Sequence, residues 1–403
     1  MLIRFRVDNF RSIREEQELS LVASTLSEHP ETLVPVESYD IALLRAAAVY
    51  GPNASGKSAL FRALSFMREA VVASHREWRP DGGVPRTAFA LVPECGTEPS
   101  LLAVDLLLDG VRYEYGFTAD SERIQEEWLY AYPRGRKQAW FTRDASRDVE
   151  FAFSRSLSGE NRAISALTRV NSLFLSAAAQ NNHEQLLPLF NWFSRMLWIV
   201  QDGTRHWGGE YVVAECIDER KREEVLAQLA AADLGISGIE FTHGSGAVGT
   251  ASGPQVRLLH STRAGPPVAL PLHEESRGTQ TLFALLGSIN WSLAEGATLL
   301  VDELDQSLHS HLASWVVRTF NSPATNPRGA QLIFNTHDTN LLDGDVLRRD
   351  QIWFTEKGTD GATRLFPLTD FRARKHENLE RGYLQGRYGA VPSLGEALRE
   401  AGD

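Results

Sequence analysis

An α/β fold follows from three features of the sequence. An apolar run, IALLRAAAVY at 41–50, ends in a glycine-rich turn. It gives way to SALFRALSFMREAVVAS, where Leu60, Leu64, Met67 and Val71 recur with helical period, so strand, loop and helix follow one another. From residue 279 the pattern runs helix, strand, helix, strand, as a parallel sheet with covering helices requires. Between these regions, in 86–156, LLAVDLLLDG, VRYEYGFTAD and AWFTRD are short β-like runs with tight-turn signals such as Asp109-Gly110, which predict an antiparallel meander. The expected architecture is a mixed or parallel sheet around the 51–58 loop, an antiparallel β subdomain and an inserted helical lobe.

Residues 1–25 alternate in strand fashion, and 160–235 read as mainly helical, including HEQLLPLFNWFSRMLWIV and ERKREEVLAQLAAADLG. The Gly/Ser-rich tract HGSGAVGTASGP, 243–254, predicts a hairpin tip between two strands. These divisions give an N-terminal half of the head over 1–160, a helical insertion or lid over 161–240, and a C-terminal half over 241–403. No internal repeat or sustained heptad interrupts the chain.

The 403 residues, 43% hydrophobic and 23% charged, have the composition of an ordinary globular protein. No window approaches the roughly 18 consecutive apolar residues of a membrane helix, and the N-terminus lacks a signal-peptide pattern. Cys95 and Cys216 have no metal-like spacing, so a reducing cytoplasm is expected and membrane association is not. A net charge of −11 argues against a surface that is basic throughout. The most basic window, 371–388, carries Arg372, Arg374, Lys375, Arg381 and Arg387 among Phe371, Tyr383 and Tyr388, and reads as a solvated helix face.

GPNASGKS, 51–58, matches G-x-x-x-x-G-K-[ST] at every required position and lies between a strand and a helix. Gly51 and Gly56 let the backbone fold around phosphates, and the N–H groups of Pro52-to-Ala59 neighbours Asn53, Ala54 and Ser55 can turn inward. Lys57 would reach the β- and γ-phosphates of ATP, and the Ser58 hydroxyl would ligate Mg²⁺. ATLLVDELDQSLHSHL, 297–312, is an apolar strand ending in two carboxylates. Asp302 is the expected Mg²⁺ partner and Glu303 the carboxylate that polarises the attacking water. Asp305 follows in a turn. His309 and His311 fall on the next helix rather than in a metal cluster. A second apolar strand ends in FNTHDTN, where His337 is placed to donate to the γ-phosphate or the attacking water. In HEESRGTQTL, 273–282, Ser276 and Gly278 open a helix whose Leu282, Phe283, Leu285, Leu286 and Ile289 form one apolar face, closed by Gly296.

The order phosphate loop, Ser-x-Gly at a helix start, strand ending Asp-Glu with an Asp two residues on, then strand ending in His, resembles ABC-type ATPase heads. RFRVDNFRSI resembles the first strand of RecF, SMC and OLD-type heads. NFRSIREEQELSLVAS, GPNASGKS, ESRGT, DELDQSLH and YLQGRYGAVP resemble the compact AAA-labelled, RloA-like standalone ATPases. The resemblance implies that Ser276 and Gly278 act in trans on ATP held by a second copy, giving a homodimer or higher oligomer through shared ATP sites. Arg277-Gly278-Thr279 departs from the Gly-Gly-Gln that many such heads carry. The resemblance also implies bacterial anti-phage defence beside a separately encoded effector, often a nuclease. A DNA-binding ATPase of the RecF kind is the alternative, with nucleic acid as ligand; a transporter motor fits least. About 65 residues follow His337, without the Glu and Asp-x-Asp cluster of a Toprim nuclease, so nuclease activity is expected in the partner. For adenine, Arg11 and Ser12 are positional candidates, and Gln180 is one for a Mg²⁺-sensing glutamine.

Overall fold

The computed structural model describes residues 1–201, 212–213, 216–232, 235–243, 254–263, 265–306, 308–373 and 377–391. Two sheets organise it. The first has seven strands, all antiparallel, in the order Phe151–Phe153, Gln138–Asp144, Ile124–Tyr132, Val111–Ala119, Ser100–Leu108, Leu2–Asp8, Gln17–Ser20. The expected meander is therefore present, and the N-terminal strand joins it by pairing with Ser100–Leu108, where Phe5 faces Val104.

The second sheet holds six strands in the order Leu197–Val200, Thr298–Val301, Gln331–Asn335, Ala46–Tyr50, Ile352–Lys357, Thr363–Pro367. The first five run parallel, and the last turns back antiparallel as a hairpin. Ala46–Tyr50 is buried throughout, as a central strand covered on both faces must be. Its small side chains alternate: Ala47 and Val49 enter one core with Leu60, Phe61, Leu64 and Met67 of the helix Lys57–Ala73. Ala46, Ala48 and Tyr50 enter the other, with Leu282, Phe283 and Leu286 of the helix Arg277–Glu295 and Val316 and Phe320 of Ser310–Asn321. The helix after the loop thus lies between the two sheets, and the other two helices cover the far face.

The stretch 161–240, expected as a helical insertion or lid, is joined to the head through its core. Phe174 and Phe193 from its helical part are buried in the core that the antiparallel sheet shares with Lys57–Ala73. Leu197–Val200, expected to continue a helix, is an edge strand of the parallel sheet. Ile199 pairs with Leu300, and the β-branched pair Ile199-Val200 suits a pleated edge better than a helix end. The helix Glu219–Ala231 forms as expected, capped by Asp218, and rests on the Arg277–Glu295 helix through a reciprocal Gln228–Asn290 amide pair. The boundary expected at 240/241 falls inside the strand Ile236–His243, which pairs with Pro254–His260. The expected hairpin tip between them lies outside the described residues, apart from its flanking His243 and Pro254.

Candidate active site

The loop after Ala46–Tyr50 is shaped by two glycines that face a threonine each. A Cβ on Gly51 would lie 2.4 Å from Thr355 Oγ1, and one on Gly56, at φ +107°, would lie 2.0 Å from Thr363 Oγ1. Both threonines belong to the last hairpin of the parallel sheet. Thr355 Oγ1 shares a 2.6 Å hydrogen bond with Ser55 Oγ, and Thr363 Oγ1 donates to Ser55 O at 2.9 Å. The loop is therefore pressed against the hairpin so closely that only glycine fits at both contact points. Ala54, at φ 64°, and Asn53 form the exposed tip, and Ser55 N–H donates to Pro52 O. The helix begins at Lys57, with the Ala59 and Leu60 N–H groups both donating to Gly56 O, so its N-terminus adjoins the loop.

Lys57 is buried, and its Nζ donates to the carbonyls of Gly51 at 2.7 Å and Pro52 at 3.1 Å. Burial pushes its pKa down to about 8, against the upward pull of Glu303, Asp305 and Asp302. An incoming phosphate would supply this desolvated ammonium with a charge partner. Ser58 Oγ donates to Asp302 Oδ1 at 3.2 Å, although the two residues lie on different elements. A hydroxyl and a carboxylate converging at the end of adjoining elements form a hard oxygen donor pair, which fits Mg²⁺.

Asp302 and Glu303 follow the strand Thr298–Val301, every residue of which is buried. Glu303 adopts φ 59°, rare for a residue with a side chain. Two residues on, the Asp305 carboxylate accepts from His337 N–H at 3.3 Å through each oxygen, which ties the turn after one strand to the turn after the next. His337 itself is exposed, and desolvation followed by the nearby Lys57 charge lowers its pKa, against the pull of Asp305 and Glu303. A neutral imidazole there can accept or donate near an incoming phosphate.

A cleft of about 490 Å³ opens beside these groups, lined among others by Arg11, Ser58, Arg62, Gln201, Asp302 and Glu303. Arg11, a positional candidate for adenine, lines this cleft together with Ser58. Ser12 instead bonds Thr363 Oγ1 through its hydroxyl and belongs to the hairpin contact. Gln180 ends the helix Phe174–Gln180 with an exposed side chain and does not line the cleft. The glutamine that does is Gln201, the first residue after LWIV. A polar residue closing a β-branched run could have pointed to it. Thr355, Thr363 and Asn335 were likewise not singled out.

Ser276 and Gly278 lie elsewhere. Ser276 is the exposed N-cap of Arg277–Glu295, its Oγ accepting from Thr279 N–H at 3.2 Å and sharing a bond with Thr279 Oγ1. Neither residue lines the cleft beside Ser58. The helix ends at Gly296 in the left-handed conformation, and the five apolar residues expected on its inner face are all buried. His309 caps the Ser310–Asn321 helix, its ring stacked on that of His311, and among the described residues no group of side chains forms a metal cluster.

A phosphate-binding loop on a parallel sheet, with Ser58, Asp302, Glu303, Asp305 and His337 brought to the same strand ends, defines a P-loop ATPase head of α/β fold. Residues 46–343 match the family described as "AAA domain, putative AbiEii toxin, Type IV TA system", and the chain belongs to it. No curated protein sequence matches. Similar solved structures include the SMC head domain from Thermotoga maritima, at 12% identity over 91% of this chain and 98% of that one, with a TM-score of 0.42. The SmcHead bound to the C-winged helix domain of ScpA matches at 13% identity over 91% and 96%, TM-score 0.44. The Smc head domain with an extended coiled coil, bound to the C-terminal domain of ScpA derived from Pyrococcus furiosus, matches at 13% over 92% and 97%, TM-score 0.41. Among the described residues no helix is long and apolar enough to cross a membrane.

Proposed function

We propose that this ATPase is an ABC-type switch whose two copies close head to tail around ATP and thereby control a separately encoded effector, a nuclease, in anti-phage defence in the bacterial cytoplasm. The loop Gly51–Ala59 cradles the phosphates with its N–H groups, and Lys57 leaves the Gly51 and Pro52 carbonyls for the β- and γ-phosphates. Ser58 and Asp302 hold Mg²⁺, which when bound neutralises developing charge on the phosphate oxygens. Glu303 takes the proton of the attacking water, and His337, tied to Asp305, donates to the γ-phosphate. The 161–240 stretch, joined to the head through its core, and the flanking halves 1–160 and 241–403 move as parts of one closing unit. Ser276 and Gly278 complete the site of the other copy.

The observation that carries this reading is the placement of the Ser276 helix start, exposed and outside the chain's own cleft, while Ser58, Asp302 and Glu303 line that cleft. A helix N-terminus with an exposed serine suits a phosphate presented by another molecule. The family's description as a toxin of a toxin–antitoxin system supports an effector or regulator encoded apart. The test is the mass in solution with and without Mg-ATP, for the wild type and Glu303→Gln. An ATP-dependent dimer of Glu303→Gln that disappears on adding Ser276→Arg is the expected result. A Glu303→Gln protein that binds ATP yet stays monomeric at high concentration overturns the shared site. A stable oligomer without nucleotide replaces the switch with a preassembled scaffold.

A further inference from the structure

Asn335 ends the strand Gln331–Asn335, between the strand that leads to Asp302 and the strand that leads to the phosphate loop. Its side chain is 0% exposed. A buried carboxamide must find partners for a donor and an acceptor, and Asn335 finds both on the two acidic residues of the neighbouring turn. Its Nδ2 donates to Asp302 Oδ1. Its Oδ1 accepts from the Glu303 N–H at 2.6 Å, and its backbone carbonyl accepts from the Leu304 N–H at 3.0 Å. Three consecutive residues, 302 to 304, are therefore held by one residue of the adjacent strand. The middle one is Glu303, whose φ of 59° is unfavourable for a residue with a side chain and persists only where its surroundings enforce it.

We infer that Asn335 is a positioning residue for hydrolysis: its carboxamide fixes the Asp302 carboxylate beside Ser58 and locks Glu303 in the left-handed conformation that aims its side chain into the cleft. The inference rests on the reading of Glu303 as the carboxylate that activates water. The chemical logic is specific to an amide. An aspartate of the same shape would keep the acceptor for Glu303 N–H but would lose the donor to Asp302. An apolar residue would lose both and leave the Glu303 N–H buried without its partner. The chain continues directly from this strand to Thr336 and His337, so the residue that holds the carboxylates lies two residues before the histidine.

The test compares Asn335→Ala, Asn335→Asp, Glu303→Gln and the double variant Asn335→Ala/Glu303→Gln. Steady-state ATP hydrolysis is read beside equilibrium binding of a fluorescent ATP analogue, measured with Mg²⁺ and with EDTA. Groups that orient catalytic or metal-binding residues typically contribute about 10- to 100-fold. The expected result is that drop in kcat for Asn335→Ala, with KM and analogue affinity in EDTA within about 3-fold of wild type. In the double variant the combined loss should fall short of the product of the two single losses, because the share of the Asn335 effect that acts through Glu303 has nothing left to position. Asn335→Asp, which preserves shape, should bind the analogue in EDTA as wild type does while losing affinity in Mg²⁺; this keeps the test decisive if Asn335→Ala is poorly folded. A near-wild-type kcat in Asn335→Ala, or losses that multiply in the double variant, overturns the inference while Glu303 keeps its role. An unimpaired Glu303→Gln overturns the reading of Glu303, and the positioning role with it.

Discussion

At Asp302 and Glu303 the polar contacts end on residues brought in from other elements of the same chain: Ser58, Asn335 and, through Asp305, the His337 backbone. At Ser276 they end on Thr279 and Gln280, one turn away in the same helix. Both stretches sit at the end of a regular element and both are expected to face ATP. The first is organised by its own fold before any ligand arrives. The second is a finished helix terminus presenting an exposed hydroxyl. A site of the first kind can bind and orient nucleotide in a single copy, whereas the second becomes useful when another molecule brings a phosphate to it. The difference separates binding, which one chain supports, from hydrolysis, which the proposed switch reserves for the pair.

The largest expected effect tests the self-contained side. Glu303→Gln should lower kcat by about 10²- to 10⁴-fold, the usual contribution of a general base, while leaving ATP affinity close to wild type. Steady-state phosphate release read beside equilibrium ATP binding checks both halves of that statement. A variant that hydrolyses normally would remove the distinction between the two regions, since nothing in the first would then be catalytic.

Gly56→Ala should come next. The new methyl group would meet Thr363 Oγ1 at 2.0 Å in a backbone conformation of φ +107°. Strain of about 1–3 kcal/mol is expected, with a lower thermal midpoint and weaker ATP binding. Thr363→Ala in the same chain should remove the closest contacts but leave the residue 363 Cβ at 2.8 Å and the φ penalty, so partial recovery of the midpoint is the expected pattern. Full recovery would mean that the contact with the hairpin, and not the backbone conformation, makes glycine necessary.

The other region is sharpened by Ser276→Asp against Ser276→Ala. Aspartate caps a helix as well as serine does, whereas alanine costs about 1 kcal/mol on average. If capping is the whole role, Ser276→Asp is silent in every assay and Ser276→Ala lowers the thermal midpoint. If Ser276 meets the γ-phosphate of a second copy, the order reverses for function: Ser276→Asp keeps its stability but loses the ATP-dependent dimer, because two negative groups are forced together. Sedimentation with Mg-ATP in the Glu303→Gln background reads this directly.

Much of the first region was legible because its signals are local. GPNASGKS and LLVDELD each place an apolar strand directly before the residues that matter, and strand burial then fixes where those residues emerge. The residues that pin the loop were not legible, because Thr355 and Thr363 lie about 300 residues away from Ser55 and look like ordinary strand threonines. Asn335 was hidden in the same way, as a polar residue closing an apolar strand. Gln201 was missed for another reason: the helical period of HEQLLPLFNWFSRM was carried into LWIV, so the strand end before it went unread. The basic window at the C-terminal end was read as a solvated face, yet Tyr383 and Tyr388 are buried, stacked on Phe354, while Arg387 pairs with Glu377. Aromatic residues among the charges were the core signal there. Arg374 and Lys375 lie outside the described residues, as does the last proline of YLQGRYGAVP.

The smallest effect concerns how the C-terminal helix Leu379–Leu384 bears on the histidine turn. Thr339 Oγ1 donates to Glu380 Oε1 at 2.7 Å, and Tyr50 Oη, edge-on to the Tyr383 ring, donates to Asp338 O at 3.3 Å. These bonds hold the two residues after His337 to the C-terminal helix and to the strand before the phosphate loop. Thr339→Val removes one of them without changing shape, and should cost about 1 kcal/mol in stability, in the range of a single hydrogen bond. Because Asp305 still holds the His337 N–H, kcat should fall by no more than about 3-fold, a loss of well under 1 kcal/mol. A much larger fall in kcat at unchanged stability would mean that the C-terminal helix, rather than Asp305, sets the histidine. The self-contained region would then extend to the far end of the chain, and whatever moves that helix would regulate hydrolysis.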